Sequence, residues 1–324
     1  MGSEPWVLIR PGALGDTLLL LPALALLRRA RPSAHITLVA RRDVLRLACA
    51  SGLADAGADY AAPEWSALFA ETPLARGGAV ARMLEGAHVS AWLADAEGLV
   101  ARNLAAFGAA PVVVAPGRPD PAGPHAALQL ARGLAPFGIP LPASGEGLAA
   151  LLPPLAIPDE DERTAEALWR ALGISNEAAH RRVIALHPGS GGAAKRWPAE
   201  RFGALAHELA AGGWSPLLVE GPADQAAVAE ALAVAGDEMP VARGLSVGAL
   251  AALLRRCAAS VGNDSGVSHL AGLLGMPALA LFGPTDPAVW APLGRRVRVL
   301  RTPDGRLDAL TVAAVQDALA ELLD

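Results

Sequence analysis

Short apolar runs, each closed by a turn and followed by a stretch of helical length, recur along the whole of this 324-residue chain. Strands separated by helices of roughly 10–15 residues form βαβ units, and these require a parallel sheet with helices on its faces. In the first half the pattern predicts strands over residues 6–10, 35–40, 90–93 and 112–115. Helices are predicted over residues 17–30, 74–86, 99–107 and 125–137. A second series begins further on, with strands over residues 183–186, 216–219, 260–262, 278–282 and 297–301. Its helices are predicted over residues 198–211, 223–235, 247–257, 265–274 and 307–323.

Between the two series, Pro140, Pro142, Pro153, Pro154 and Pro158 crowd into residues 138–158, the best linker in the chain. Asp159, Glu160, Asp161 and Glu162 follow. Acids are favoured in the first turn of a helix by its dipole, so a helix start is expected there rather than a metal site. The chain therefore divides into α/β domains at residues 1–157 and 158–324, with the last helix free to pack back on the first domain. Formal net charge is 0 in the first and −5 in the second. An acidic domain that binds an anion must use local dipoles and a few placed cations.

Composition removes several functions. With 53% hydrophobic and 18% charged residues the chain is not disordered. Only 4% of residues are aromatic and there is no long basic block, so a nucleic-acid surface is not expected. The two cysteines, Cys49 and Cys257, make neither a disulfide framework nor a zinc site. The longest apolar run, residues 17–27, contains Pro22 and is too short to span a membrane. A cytoplasmic chain is expected.

One count points to chemistry. Of 27 basic side chains 26 are Arg, and the single Lys is Lys195. It lies in His-Pro-Gly-Ser-Gly-Gly-Ala-Ala-Lys-Arg-Trp-Pro, residues 187–198, between a strand and a helix. This is not a Walker A loop. A Gly/Ser loop offering backbone N–H groups and one ammonium still makes a phosphate cradle. Pro198 is expected as the first helical residue.

Residues 262–270, Gly-Asn-Asp-Ser-Gly-Val-Ser-His-Leu, make another strand-to-helix junction. Ser265 and Gly266 open the helix, so their N–H groups lack intrahelical partners and can meet an anion. His269 lies on the same face as Ser265. An Asp cap with a packed His is the plainer alternative. Residues 10–16, Arg-Pro-Gly-Ala-Leu-Gly-Asp, form the corresponding turn of the first domain. Gly12 and Gly15 permit a tight turn and close approach, and their spacing is not a dinucleotide fingerprint. Asp16 is either the helix cap or a general base. Residues 281–287, Leu-Phe-Gly-Pro-Thr-Asp-Pro, make a turn in which Asp286 suits an Asx-turn.

Taken in order, these stretches resemble glycosyltransferase family 9, the lipopolysaccharide heptosyltransferases. Val-Glu-Gly-Pro-Ala-Asp at 219–224 and Gly-Leu-Ser-Val-Gly-Ala-Leu at 244–250 add to the match, which extends over nearly the whole chain. The resemblance implies an α/β fold of GT-B type, two Rossmann-like domains with parallel sheets facing across a cleft. It implies an inverting, metal-independent transferase that moves heptose or a related sugar from an ADP-sugar to a lipopolysaccharide-core or similar glycan. Asp16 would be the base. Ser190, Lys195, Asp264, Ser265, Gly266 and His269 would meet the donor phosphates. Asp224 would meet the nucleotide ribose, with Glu220 contesting that role because it replaces a family glycine. No cofactor beyond the donor is expected. The partners are a nucleotide sugar and a glycolipid or glycan acceptor, with peripheral contact at the inner membrane, for a monomer. Another nucleotide sugar on the same scaffold, or a catalytically silent glycan-binding protein, are the alternatives.

Overall fold

A computed structural model describes residues 4–71, 78–174 and 176–324. The chain forms two compact units that divide after Ala156. In the first, strands β1 (Pro5–Ile9), β2 (His35–Ala40), β3 (Ala56–Asp59), β4 (His88–Trp92) and β5 (Val112–Ala115) form one parallel sheet, in the order β3-β2-β1-β4-β5. Val7 of β1 pairs with Thr37 on one side and Val89 on the other. All residues of β1 after Pro5 are buried, as expected of a central parallel strand covered on both faces.

In the second unit, β6 (Val183–His187), β7 (Ser215–Glu220), β8 (Val241–Arg243), β9 (Ala259–Asn263), β10 (Ala278–Phe282) and β11 (Val297–Arg301) form a parallel sheet in the order β11-β10-β9-β6-β7-β8. The order reverses direction between β1 and β4 in one sheet and between β6 and β9 in the other. Crevices at the carboxyl ends of such strand pairs are where open α/β sheets bind ligands. The core of the second unit includes Ile184, Leu186, Trp197, Phe202, Leu218 and Leu281. The closing helix, Val312–Leu323, buries Val315, Ala318 and Leu319 in that core and packs on the helix Ala199–Ala211 and on β10 and β11.

Several elements differ from the sequence pattern. The helix expected over 17–30 is two helices, Leu14–Leu18 and Leu21–Ala30, because Pro22 cannot continue a helical hydrogen-bond ladder and sits in the first turn of the second. Only the helix Ala79–Leu84 is seen from the stretch expected over 74–86, whose residues 74–77 lie outside the described part. Pro136 lies inside a 3₁₀ turn, Arg132–Phe137, so the helix over 125–137 is regular only through Ala126–Ala131. The expected linker contains the short helix Gly145–Ala149. Four acids do open the helix Asp159–Ala171. Strands β3 and β8 are additions, and so is the helix Arg42–Ala50. No helix among the described residues is long and apolar enough to cross a membrane.

Candidate functional site

The loop after β6 is held at both ends by one buried side chain from the end of β9. Asn263 accepts the Trp197 N–H through Oδ1 at 2.9 Å and donates from Nδ2 to the Pro188 carbonyl at 2.9 Å. Trp197 is fully buried, donates from Nε1 to the Leu310 carbonyl at 2.9 Å and stands edge-on to Phe202. Arg196 donates to the Ser190 carbonyl at 3.0 Å, folding the loop on itself. The apolar anchor thus fixes where Lys195, two residues earlier, can reach. Pro198 is the N-cap of the helix Ala199–Ala211 rather than its first residue.

Lys195 Nζ lies 2.7 Å from Asp264 Oδ2, and the Thr285 hydroxyl donates to the same oxygen at 2.7 Å. Asp264 is buried, whereas about a third of the Lys195 side chain is exposed. The Asp264 N–H donates to the Leu281 carbonyl. The N–H and Oδ2 of Asp264 are therefore committed within the protein. Asp264 thereby holds the Lys195 ammonium in place. The Ser190 hydroxyl donates to the Asp264 carbonyl at 2.8 Å and is buried, which leaves only its lone pairs for other contacts.

Ser265 is the N-cap of the helix Gly266–Leu273, with extended backbone at φ −157°, and its Oγ accepts the Ser268 N–H at 3.4 Å. The N–H groups of the first turn have no partner within the helix, and Gly266 brings no side chain to cover them. Such a helix end favours a bound anion. His269 is buried one turn further on, and its N–H donates to the Ser265 carbonyl.

Asp224 is turned inward. Its Oδ2 lies 3.0 Å from His187 Nε2 and accepts the Gly221 N–H at 3.0 Å. A Cβ at residue 189 would sit 2.0 Å from Asp224 Oδ1, so the approach of this carboxylate requires Gly189. The bond to His187 is the main cause that holds the Asp224 carboxyl below the usual carboxylate range, against the opposing effect of burial. The other candidate for the ribose, Glu220, is paired with Arg243 at 3.2 Å.

In the first unit, Asp16 is the third residue of the helix Leu14–Leu18, not its N-cap. Its Oδ2 reaches back to accept the Ala13 N–H at 3.0 Å, and its Oδ1 lies 3.5 Å from Arg10. Its side chain is 36% exposed, enough to meet a hydroxyl group from outside. Gly12 has φ +137° and a Cβ there would meet the Asp16 Cβ at 2.9 Å, so the turn tolerates only glycine. Gly15 precedes Asp16 within the same short helix. Arg10 is buried, donates to the Gly117 and Asp16 carbonyls, and is pushed down from its ordinary pKa by burial.

Five residues carry more of this architecture than their sequence context announces: Arg10, His187, Asn263, Thr285 and Arg196. Each stands inside or beside a recognised turn. Arg196 bonds within its own loop, but the other four have partners far along the chain, as with Trp197 and Asn263, 66 positions apart, and only the fold brings them together.

Two parallel-sheet α/β units, each with its marked residues at the carboxyl edge of the sheet, define a chain of the GT-B class. The profile of glycosyltransferase family 9 (heptosyltransferase) matches residues 146–311. The chain belongs to that family. The match contains Ser190, Lys195, Asp224 and the residues 264–269, while Asp16 lies outside it. Lipopolysaccharide heptosyltransferase 2 of Escherichia coli K12 is 34% identical over 134 residues, which are 40% of this chain and 38% of that relative's length. A crystal structure of a glycosyl transferase family 9 protein from Veillonella parvula covers 100% of this chain and 98% of its own, with a TM-score of 0.79 at 22% identity. The structure of the E. coli ADP-heptose lipopolysaccharide heptosyltransferase II covers 99% of this chain and 98% of its own, with a TM-score of 0.72 at 23% identity. At those identities the likeness is one of fold.

Proposed function

We propose that this chain transfers a heptose or related sugar, with inversion, from an ADP-activated donor to a hydroxyl of a glycolipid or glycan acceptor. The observation that carries the reading is the Lys195 ammonium, fixed at 2.7 Å by the residue that directly precedes the N-cap of the helix Gly266–Leu273. A cation and a helix N-terminus together suit a diphosphate. They stabilise the negative charge that gathers on it as the glycosidic C–O bond breaks, and this needs no metal. The acceptor oxygen attacks the anomeric carbon, Asp16 takes its proton, and the nucleoside diphosphate leaves. The family membership, and the ADP-heptose named for the E. coli structure of like fold, support heptose and adenine. The proposed enzyme works in the cytoplasm without a further cofactor.

A thermal-unfolding panel with ADP, UDP, GDP, NAD and ADP-heptose tests the donor. A ligand at 100 times its Kd adds about 2.7 kcal/mol of stability. ADP and ADP-heptose should raise Tm by the matching amount. Stabilisation by UDP or GDP alone would replace the adenine reading, and stabilisation by NAD alone would overturn the transferase reading.

A further inference from the structure

The Ser265 hydroxyl has one hydrogen, and the groups around it determine where that hydrogen points. Asp224 is ionised at neutral pH, so His187 Nε2, 3.0 Å away, must carry a hydrogen to donate to it. A neutral imidazole with its hydrogen on Nε2 has a bare lone pair on Nδ1. That nitrogen lies 3.2 Å from Ser265 Oγ. With His187 neutral, Ser265 therefore donates inward to Nδ1. Ser268, whose own hydroxyl donates to the Asn263 carbonyl at 2.6 Å, can accept from Ser265 only at 3.5 Å, so Nδ1 at 3.2 Å is the nearer acceptor. The cap then presents only lone pairs at the mouth of the helix, where a phosphate oxygen would be repelled.

Protonation of Nδ1 reverses the bond. The imidazolium donates to Ser265 Oγ, and the hydroxyl hydrogen is released to point away from His187 and donate to an anion at the helix end. We infer that His187, backed by Asp224, sets the direction of the Ser265 hydroxyl, and that binding of the diphosphate donor draws one proton from solvent onto His187 Nδ1. The inference rests on the diphosphate site proposed above. It makes His187 and Asp224 positioning residues, acting on the donor through Ser265.

The charged groups around the pair come from each neighbouring turn. Asp224 follows β7 and faces His187 Nε2 at 3.0 Å. Asp264 follows β9, and its carboxylate is already shared by Lys195 and Thr285. Arg196, from the loop after β6, has a charge that reaches Asp224 and opposes a second cation nearby. His269 is on the helix that Ser265 caps, one turn further on. A bound diphosphate adds the negative charge that tips this balance.

Isothermal titration of the whole chain with ADP-heptose, without acceptor, tests the inference. The diphosphate of this donor is a diester that does not itself titrate near neutrality. The titration is run in buffers of different ionisation heat between about pH 6 and about pH 8.5, the range around which an imidazole changes charge. Wild type should take up as much as about one proton on binding. Its affinity gain should be complete where the imidazole is already charged in the free protein, and should be lost severalfold as pH rises. His187→Gln keeps an amide donor towards Asp224 and removes the nitrogen to which the proposal assigns the proton, so its affinity should be independent of pH and its binding free of proton uptake. Buffer-independent heats in wild type would overturn the inference without any variant. Unchanged proton uptake in His187→Gln would assign the proton elsewhere and overturn it too. Wild type that binds ADP-heptose in neither buffer would instead overturn the donor reading on which this inference stands.

Discussion

Lys195 Nζ and Asp264 Oδ2 are 2.7 Å apart, so the one lysine of the chain is held by the residue immediately before the N-cap of the helix Gly266–Leu273. The pair joins the loop after β6 to the loop after β9, across the point where the strand order reverses. The pairing gives a carboxylate a role at the proposed anion site. It places a cation and is itself neutralised.

Lys195→Ala should weaken ADP-heptose binding by roughly 10- to 150-fold, the equivalent of one charge-assisted contact of about 1.5–3 kcal/mol. Lys195→Arg should restore only part of this, because a planar guanidinium is a poor copy of a compact ammonium held between Asp264 and a phosphate. Titration calorimetry reads both. Donor affinity unchanged in the Ala variant would remove Lys195 from the site.

Trp197→Ala should cost about 3–5 kcal/mol of stability in urea unfolding, since a fully buried ring is lost from the core. Trp197→Phe keeps most of the apolar volume but leaves the Leu310 carbonyl without the indole donor. It should cost less and still loosen the loop that carries Lys195, which a rise in KM for the donor larger than the fall in kcat would reveal.

The acid side of the stability profile should depend on Asp224. Its folded pKa lies below the ordinary value, chiefly through the bond to His187. The stabilisation is therefore present above the unfolded carboxyl value of about 3.9 and is lost as pH falls through the folded value. Urea midpoints measured downward from about pH 5 should fall less steeply for Asp224→Asn than for wild type. Parallel profiles would show that the pair contributes nothing to the pH dependence.

Glycosyl transfer should survive EDTA, because the proposed stabilisation of the leaving diphosphate comes from Lys195 and a helix end. Loss of turnover on chelation that Mg²⁺ or Mn²⁺ restores would show that an ion performs that task.

Much of this architecture can be read from the sequence, because strand-turn-helix junctions announce themselves locally. Gly12, Ser190 and Gly266 all stand at turns that composition marks, and the single lysine marks the cation. The bonds between turns are not local. Trp197 to Asn263 and Arg10 to Gly117 join residues 66 and 107 positions apart. Asp224 shows the limit most clearly. The family resemblance assigns its carboxylate to the donor ribose, while nothing local signals its bond to His187, 37 positions earlier. Strand β3, with the sequence Ala-Gly-Ala-Asp, lacks the apolar run that signals a strand and exists because β2 offers it an edge.

Asp16, the proposed base, offers the sharpest measurement. Asp16→Asn keeps an acceptor for the Ala13 N–H but cannot take a proton, and it leaves the buried Arg10 without its carboxylate. Asp16→Ala loses the Ala13 contact as well and is the control for folding. Release of ADP from ADP-heptose is measured in the presence of a lipopolysaccharide-core acceptor, alongside donor binding and unfolding for each variant. Asp16→Asn should bind donor nearly as wild type does while kcat falls by about 10²–10⁴, the usual cost of removing a general base. Near-native turnover in a folded Asp16→Asn protein would contradict the assignment and leave Asp16 as a helix-terminal contact alone.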